Sequence, residues 1–282
     1  MNDHREAEIV STTAVLKPSP NNGGTALSVP LVKIYGERNS GTIYLSELIR
    51  LNFVAKELRG FVPWPVTGLQ LILPGRESVR DAFFSATFGS NLGWKHMRVK
   101  PVEELQQYGI ASRRLHFLTI TKNPYSWLLS MHRRPYHQYY DSGLSFEEFL
   151  TTPWQTTRRD GTEQTIENPI QLWNVKNRSY LPLNNVFPAL NLRYEDVLCD
   201  PEQAMSQVES EFQLQRTADG FRNFQQSTKD TSKDSDYYRD YYLNERWRDK
   251  LSAAAIEIIN KHLDQALVKT FGYGMLSNCV AA

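Results

Sequence analysis

Three short runs rich in aliphatic and aromatic residues, Leu31–Tyr35, Leu115–Thr121 and Ala189–Tyr194, each end at a polar turn that leads into apolar residues at helical spacing. Behind the first, Tyr44, Leu45, Leu48, Ile49 and Phe53 fall on one helical face. Behind the second a helix starts at Pro124, a residue tolerated in a first turn because its missing N–H would be unpaired there anyway. Behind the third a helix is expected from Pro201 to about Leu214. Repeated strand–loop–helix units require parallel strands, since each helix carries the chain back, and a parallel sheet has to be covered on both faces. The pattern therefore predicts an α/β fold: a single domain with a central parallel sheet flanked by helices, in a P-loop-like nucleotide-binding topology.

A chain of 282 residues can bury such a sheet as one domain. Residues 1–28 mix charges with Ser, Thr, Asn and Pro, which predicts a loosely ordered lead-in, with the α/β domain over 29–282. Between about 54 and 92 Pro and Gly become frequent and periodicity fails, so loops over an active site are expected, with one short helix around Val79–Phe84. Gly93–Arg98 reads as a further short strand. Ala253–Thr270 reads as one amphipathic helix with Ile256, Ile259, Leu263 and Leu267 on one face.

Charge and cysteine content narrow the function classes. With 32 Lys and Arg against 31 Asp and Glu, the net charge of +1 supplies no basic field for nucleic acid. The longest uncharged run, Gly60–Gly75, is too short and too rich in Pro and Gly to span a bilayer, so neither a nucleic-acid nor a membrane partner is expected. The first residues carry mixed charge and lead into no apolar run, which points to a cytoplasmic protein. Cys199 and Cys279 lie in unlike contexts and suggest neither a disulfide framework nor a thiolate metal site. The pair His132 and His137 is five apart, not the four that share a helical face, so no metal is expected. Oligomeric state stays open.

The loop after the first strand carries the chemistry. In Gly36-Glu-Arg38-Asn39-Ser40-Gly41-Thr42 two glycines five apart separate a strand from a helix, an arrangement that lets backbone N–H groups and a helix N-terminus wrap a phosphate. A P-loop NTPase places Lys and then Ser or Thr after the second Gly; here Thr42 and Ile43 stand there, and the cation sits earlier, at Arg38.

At these residues the sequence resembles the sulfotransferases that use 3′-phosphoadenosine 5′-phosphosulfate (PAPS). Ser40-Gly41-Thr42 and Tyr44 match their phosphosulfate loop, with Asn39 where Lys or Arg is usual and Arg38 one position ahead. Lys122-Asn-Pro124 and Ser130, eight residues apart, match the family's clamp on the 3′-phosphate, Lys replacing Arg and losing its bidentate fork. Leu192-Arg-Tyr194-Glu-Asp196 matches a strand ending in Tyr-Glu-Asp. The resemblance implies PAPS as the sulfuryl donor, 3′-phosphoadenosine 5′-phosphate (PAP) as product, no metal, and a nucleotide held by Arg38, Asn39, Ser40, Gly41, Thr42, Ile43, Tyr44, Lys122, Ser130 and Tyr194. Tyr44 and Tyr194 are expected on either side of the adenine, with Glu195 and Asp196 capping the following helix. Lys229 and Lys233 stand where family members place basic residues over the 3′-phosphate.

Sulfuryl transfer also needs a base for the acceptor proton. Gly93-Trp-Lys95-His96 is similar to the family's strand in which Lys and His approach the sulfuryl group. His96 is the expected base, with an ordinary imidazole pKa of ~6.5, and Lys95 and Arg38 the expected catalytic cations; Glu77 and Asp81 are the alternative bases. The aromatic and basic stretch Met131–Tyr140, with Trp154, Arg158 and Arg159, offers a lining for a carbohydrate or phenol acceptor. A nucleotide kinase and a PAP-binding protein without turnover stay open as alternatives, the first disfavoured by Thr42 and Ile43, the second kept by Asn39.

Overall fold

The computed structural model describes residues 29–72, 76–110, 114–135, 143–218, 220–225 and 232–277. The expected lead-in over 1–28, Lys229, residues 136–140 of the acceptor stretch, and Cys279 lie outside them. The strands are β1 (Leu31–Tyr35), β2 (Lys56–Glu57), β3 (Leu115–Thr121), β4 (Trp154–Gln155), β5 (Thr165–Ile166) and β6 (Ala189–Arg193). The helices are α1 (Thr42–Asn52), α2 (Trp64–Ile72), α3 (Arg76–Asn91), α4 (Val102–Gln106), α5 (Pro124–Arg133), α6 (Phe146–Thr151), α7 (Pro169–Arg178), α8 (Tyr194–Cys199), α9 (Pro201–Phe212), α10 (Ser235–Leu243), α11 (Ala253–His262) and α12 (Gln265–Thr270).

One sheet runs β2-β1-β3-β6 with every pairing parallel, and β4 and β5 make a separate antiparallel hairpin. Side chains alternate across a strand, so the central pair feeds two cores. Val32, Ile34, Leu118 and Ile120 pack with Leu45, Leu48, Trp127 and Val208 on one face. Tyr35, Leu115 and Phe117 pack with Phe84, Phe88, Leu105 and Phe187 on the other. This is the expected α/β class, a central parallel sheet flanked by helices.

From β1 the chain moves outward to β2, and from β3 it moves the other way to β6, so the connections diverge between β1 and β3. In open parallel sheets, ligands bind outside the carboxyl ends of the strands at such a divergence. The Gly36–Gly41 loop and Lys122-Asn123 flank this one.

Several local expectations are overturned. Residues 54–92 are mostly regular, holding β2, α2 and the 16-residue α3, of which Val79–Phe84 is only the middle. Gly93–Arg98 is a turn, not a strand, entered through Leu92 at φ 57° and Gly93 at φ 79°. Lys33, fully buried beneath β1, donates from Nζ to the Asn91 and Gly93 carbonyls at 2.7 and 2.6 Å, while Tyr35 donates to the Leu92 carbonyl at 2.7 Å. Those three carbonyls are thereby fixed to β1. The expected helix over 253–270 is two, α11 and α12, because Asp264 caps the second by accepting from Leu267 N at 3.0 Å.

Candidate active site

The β1–α1 loop is shaped by its own residues. Glu37, 1% exposed, turns back so that Oε1 accepts from Arg38 N at 2.6 Å, and the Glu37 carbonyl accepts from Ser40 N at 3.1 Å. Asn39 sits at φ 64°, in the left-handed region that Asn enters more readily than Lys or Arg. Its amide donates to Met131 Sδ and the Arg134 carbonyl, both at 3.4 Å. The departure from Lys or Arg at this position thus has a conformational reason. Gly41, at φ 89°, supplies no side-chain cap, so the first N–H groups of α1 keep the unsatisfied donors of a helix start. A Cβ at Gly41 would lie 2.4 Å from Tyr194 Cδ2, so only glycine lets the Tyr194 ring close on the loop.

The β3–α5 unit meets this loop across the divergence. Asn123 caps α5 by accepting from Tyr125 N at 3.0 Å, and Pro124 takes the first helical position. Ser130 is then two turns along, and Lys122 Nζ stands 3.0 Å from its Oγ and 3.4 Å from the Asn39 carbonyl. Lys122 is 2% exposed, and burial lowers its pKa to about 7, against the opposing charge of Glu195. Its ammonium lies 3.9 Å from the Tyr242 ring centroid and 5.3 Å from that of Tyr194. α10 therefore covers the clamp with a tyrosine that no motif announced. Lys233 stacks on Tyr237 of the same helix at 4.7 Å.

Tyr194 opens α8 buried, edge-on to Tyr242 with centroids 5.2 Å apart, while Tyr44 donates to Asn223 Oδ1 at 2.9 Å. Glu195 does not cap a following helix as expected: it reaches across to accept from Asn123 N at 3.0 Å and from Tyr273 OH at 2.7 Å, tying β6 to β3. Asp196 lies 3.7 Å from Arg193, and Asp200 caps α9 instead, accepting from Gln203 N at 2.9 Å.

The 93–98 turn puts His96 against the same loop. Nδ1 lies 2.6 Å from the Gly36 carbonyl, and Lys95 O accepts from Gly36 N at 3.0 Å. A carbonyl only accepts, so Nδ1 carries the hydrogen and Nε2 holds the lone pair. Burial, then the charges of Lys95 and Arg38, hold the imidazole well below its usual value. The charges of Arg38 and Lys95 add to the effect of burial, and the expected ordinary imidazole pKa is not found. His96 should give ring NMR signals that stay put from about pH 8 down through ~6.5; a midpoint near 6.5 would overturn its burial as the dominant influence. The neutral native ring also makes stability fall as pH drops below ~6.5, because the unfolded state takes up the proton there.

Sequence reasoning missed the residue that joins these pieces. Lys176 of α7, fully buried, stands 2.5 Å from the His96 carbonyl, 2.6 Å from Asp160 Oδ1 and 3.0 Å from Glu37 Oε2. The last is a fully buried ion pair. One ammonium so links the phosphate-type loop, the His96 turn and the 3-10 turn Arg158–Asp160. Burial pushes the Glu37 carboxyl up, while Lys176 and two Thr157 donors hold Asp160 down despite burial. A lysine at an inward position of an amphipathic helix carries no motif; only its full burial marks it.

The alternative bases are committed elsewhere. Glu77 and Asp81 both pair with Arg159, Asp81 at 2.8 Å, and Asp81 accepts from the backbone N of Arg158 and Arg159 at 3.1 and 3.2 Å. They fasten the hairpin to α3. Among the acceptor-lining expectations, Trp154 is buried in the core and His132 Nε2 lies 2.9 Å from the Leu144 carbonyl. Among the described residues no cluster of three His, Cys, Asp or Glu could hold a metal ion, and no helix is long and apolar enough to cross a membrane.

No protein-family model matches the sequence, and no curated protein matches it. Among solved structures, the chain is similar to the "Sulfotransferase Domain from the Curacin Biosynthetic Pathway", at 13% identity and a TM-score of 0.38, over 88% of this chain and 99% of that one. A likeness that loose fixes no residue equivalence. What the coordinates themselves define is an α/β protein with an open helix start, a buried lysine–serine clamp and a neutral histidine gathered at the divergence of a parallel sheet.

Proposed function

We propose that this protein is a sulfotransferase that moves the sulfuryl group of PAPS to a hydroxyl or amine of an acceptor. The observation that supports it most is the Lys122 Nζ–Ser130 Oγ contact of 3.0 Å beside the Asn39 carbonyl, which sets a cation and a hydroxyl next to an uncapped helix start. Two phosphate-type sites side by side suit a nucleotide with phosphates at both its 3′ and 5′ positions better than a linear triphosphate. In this reading Ser40, Gly41, Thr42, Ile43 and Tyr44 hold the 5′-phosphosulfate on the α1 start. Lys122 and Ser130 hold the 3′-phosphate, Lys233 adds charge to it, and Tyr44 and Tyr194 flank the base.

Transfer then forms an acceptor O–S or N–S bond as the S–O bond to the 5′-phosphate breaks. The acceptor proton passes to His96 Nε2, and the electron pair of the broken bond leaves with PAP. Arg38 and Lys95 stabilise the charge that grows on the sulfuryl and phosphate oxygens. The protein should bind PAP without Mg²⁺, and PAPS should lose its sulfuryl group to a member of an acceptor panel. Calorimetric titration with PAP, adenosine 5′-phosphate and ATP, with and without Mg²⁺, tests the first part. Mg²⁺-dependent ATP binding in preference to PAP would give the site to a kinase, and PAP binding without any turnover would leave a binding protein.

A further inference from the structure

A cavity of about 430 Å³ lies between α3, α4 and the β4–β5 hairpin, within the range of small-molecule sites. Its wall includes Phe84, Phe88, Trp94 and Met97, and its polar lining includes Ser85 and Tyr108. Two of its cations are spent on the protein. Arg159, paired with Glu77 and Asp81, lies 4.8 Å over the Trp94 ring, and Lys100, paired with Glu104, lies 4.5 Å over Phe88. The two others, Arg98 and Arg158, are exposed and have no ion-pair partner among the described residues. The lining thus offers four cations against two carboxylates, Asp81 and Glu104, in a chain whose net charge is only +1.

We propose that this cavity binds an acidic saccharide, its hydroxyls beside Ser85 and Tyr108 and its carboxylate or sulfate on Arg98 and Arg158. An anion there gains two charges without breaking an existing pair, whereas a cation meets only carboxylates already paired. With the Trp94 and Phe88 rings already under Arg159 and Lys100, the Ser85 and Tyr108 hydroxyls favour a hydroxylated ligand over a purely apolar one. Trp94 connects the cavity to the reaction proposed above: its indole meets the His96 imidazole edge-on, with centroids 5.0 Å apart. Resting on the sulfuryl-transfer reading, the bound anion anchors a part of the acceptor that does not react, one indole away from the base.

The test is calorimetric and needs no nucleotide. At low salt, 4-nitrophenyl β-D-glucuronide should bind on the order of tenfold tighter than 4-nitrophenyl β-D-glucoside, which differs from it in lacking the carboxylate. In Arg98→Ala/Arg158→Ala, both positions being exposed, the two affinities should converge while PAP affinity stays as in the parent. Equal affinities in the parent, saturable binding of neither sugar, or a preference that survives the double substitution would each overturn the proposal. Because PAP and sugar are titrated separately, a protein that prefers the glucuronide but ignores PAP would retain the cavity and lose the nucleotide reading. The opposite result would do the reverse.

Discussion

Lys122→Met should weaken PAP by roughly ten- to a hundredfold and leave adenosine 5′-phosphate nearly unaffected, since a lost charged hydrogen bond is worth about 1.5–3 kcal/mol and only PAP carries the group it holds. Ser130→Ala should move PAP in the same direction by less, because it removes a neutral donor. The pH dependence sharpens the test. Burial brings Lys122 to about 7 in the free protein, so part of the population is neutral at pH 8, and a bound 3′-phosphate favours the ammonium. PAP affinity should therefore fall as pH rises above 7, with a proton taken up on binding. That proton appears as a dependence of the measured heat on the buffer's ionisation enthalpy, and Lys122→Met should abolish it. The unliganded protein behaves in the opposite sense. Its unfolded chain keeps the lysine proton to ~10.5 while the native state releases it near 7, so the Lys122 contribution to stability improves with pH between those values. Equal weakening of PAP and adenosine 5′-phosphate would place the 3′-phosphate site elsewhere.

Lys176→Met should be the most damaging single change to the fold. It leaves Glu37 and Asp160 buried without their shared cation, and breaking a buried pair by removing one partner costs about 3–5 kcal/mol. The loss should depend on pH. Lowering the pH from 7 to 5 favours the protonated form of the Glu37 carboxyl, whose pKa burial raises, and that form misses the lysine less than the charged one. Denaturant midpoints at the two values should therefore diverge, with the larger loss at pH 7, and Glu37→Gln in the same chain should recover part of it. An equal loss at both values would mean that Lys176 acts through packing alone.

The parts of this architecture written in local pattern were legible. β1 and β3 fall on the expected residues because each is a short apolar run with nothing helical about its period, and α1 and α5 start where a glycine and an Asn-Pro pair say they should. α3 was obscured by Gly89 and by the Pro74-Gly75 pair ahead of it, although Phe84 and Phe88, four apart and both buried, carry a helical face. The strand expected at 93–98 failed for a tertiary reason: Lys33 and Tyr35, distant in sequence, hold the preceding carbonyls in place of a sheet partner. Arg38, Lys122, Ser130 and His96 were singled out by motif and spacing, and the fold brings them to one end of the sheet. Lys176 and Tyr242 were not, because contacts between segments far apart in sequence leave no spacing to read.

The anchoring of Asn91, Leu92 and Gly93 to Lys33 and Tyr35 has a mechanical meaning. β1 ends in the loop proposed to grip the donor, and the same strand bolts down the turn that bears Lys95 and His96. The loop and the turn are then registered on one rail, and thermal displacement carries them together. Their alignment is set by a five-residue strand, so two halves of a protein need not shut to bring them together. Helix α2, outside that rail, can diverge in length and composition without disturbing it.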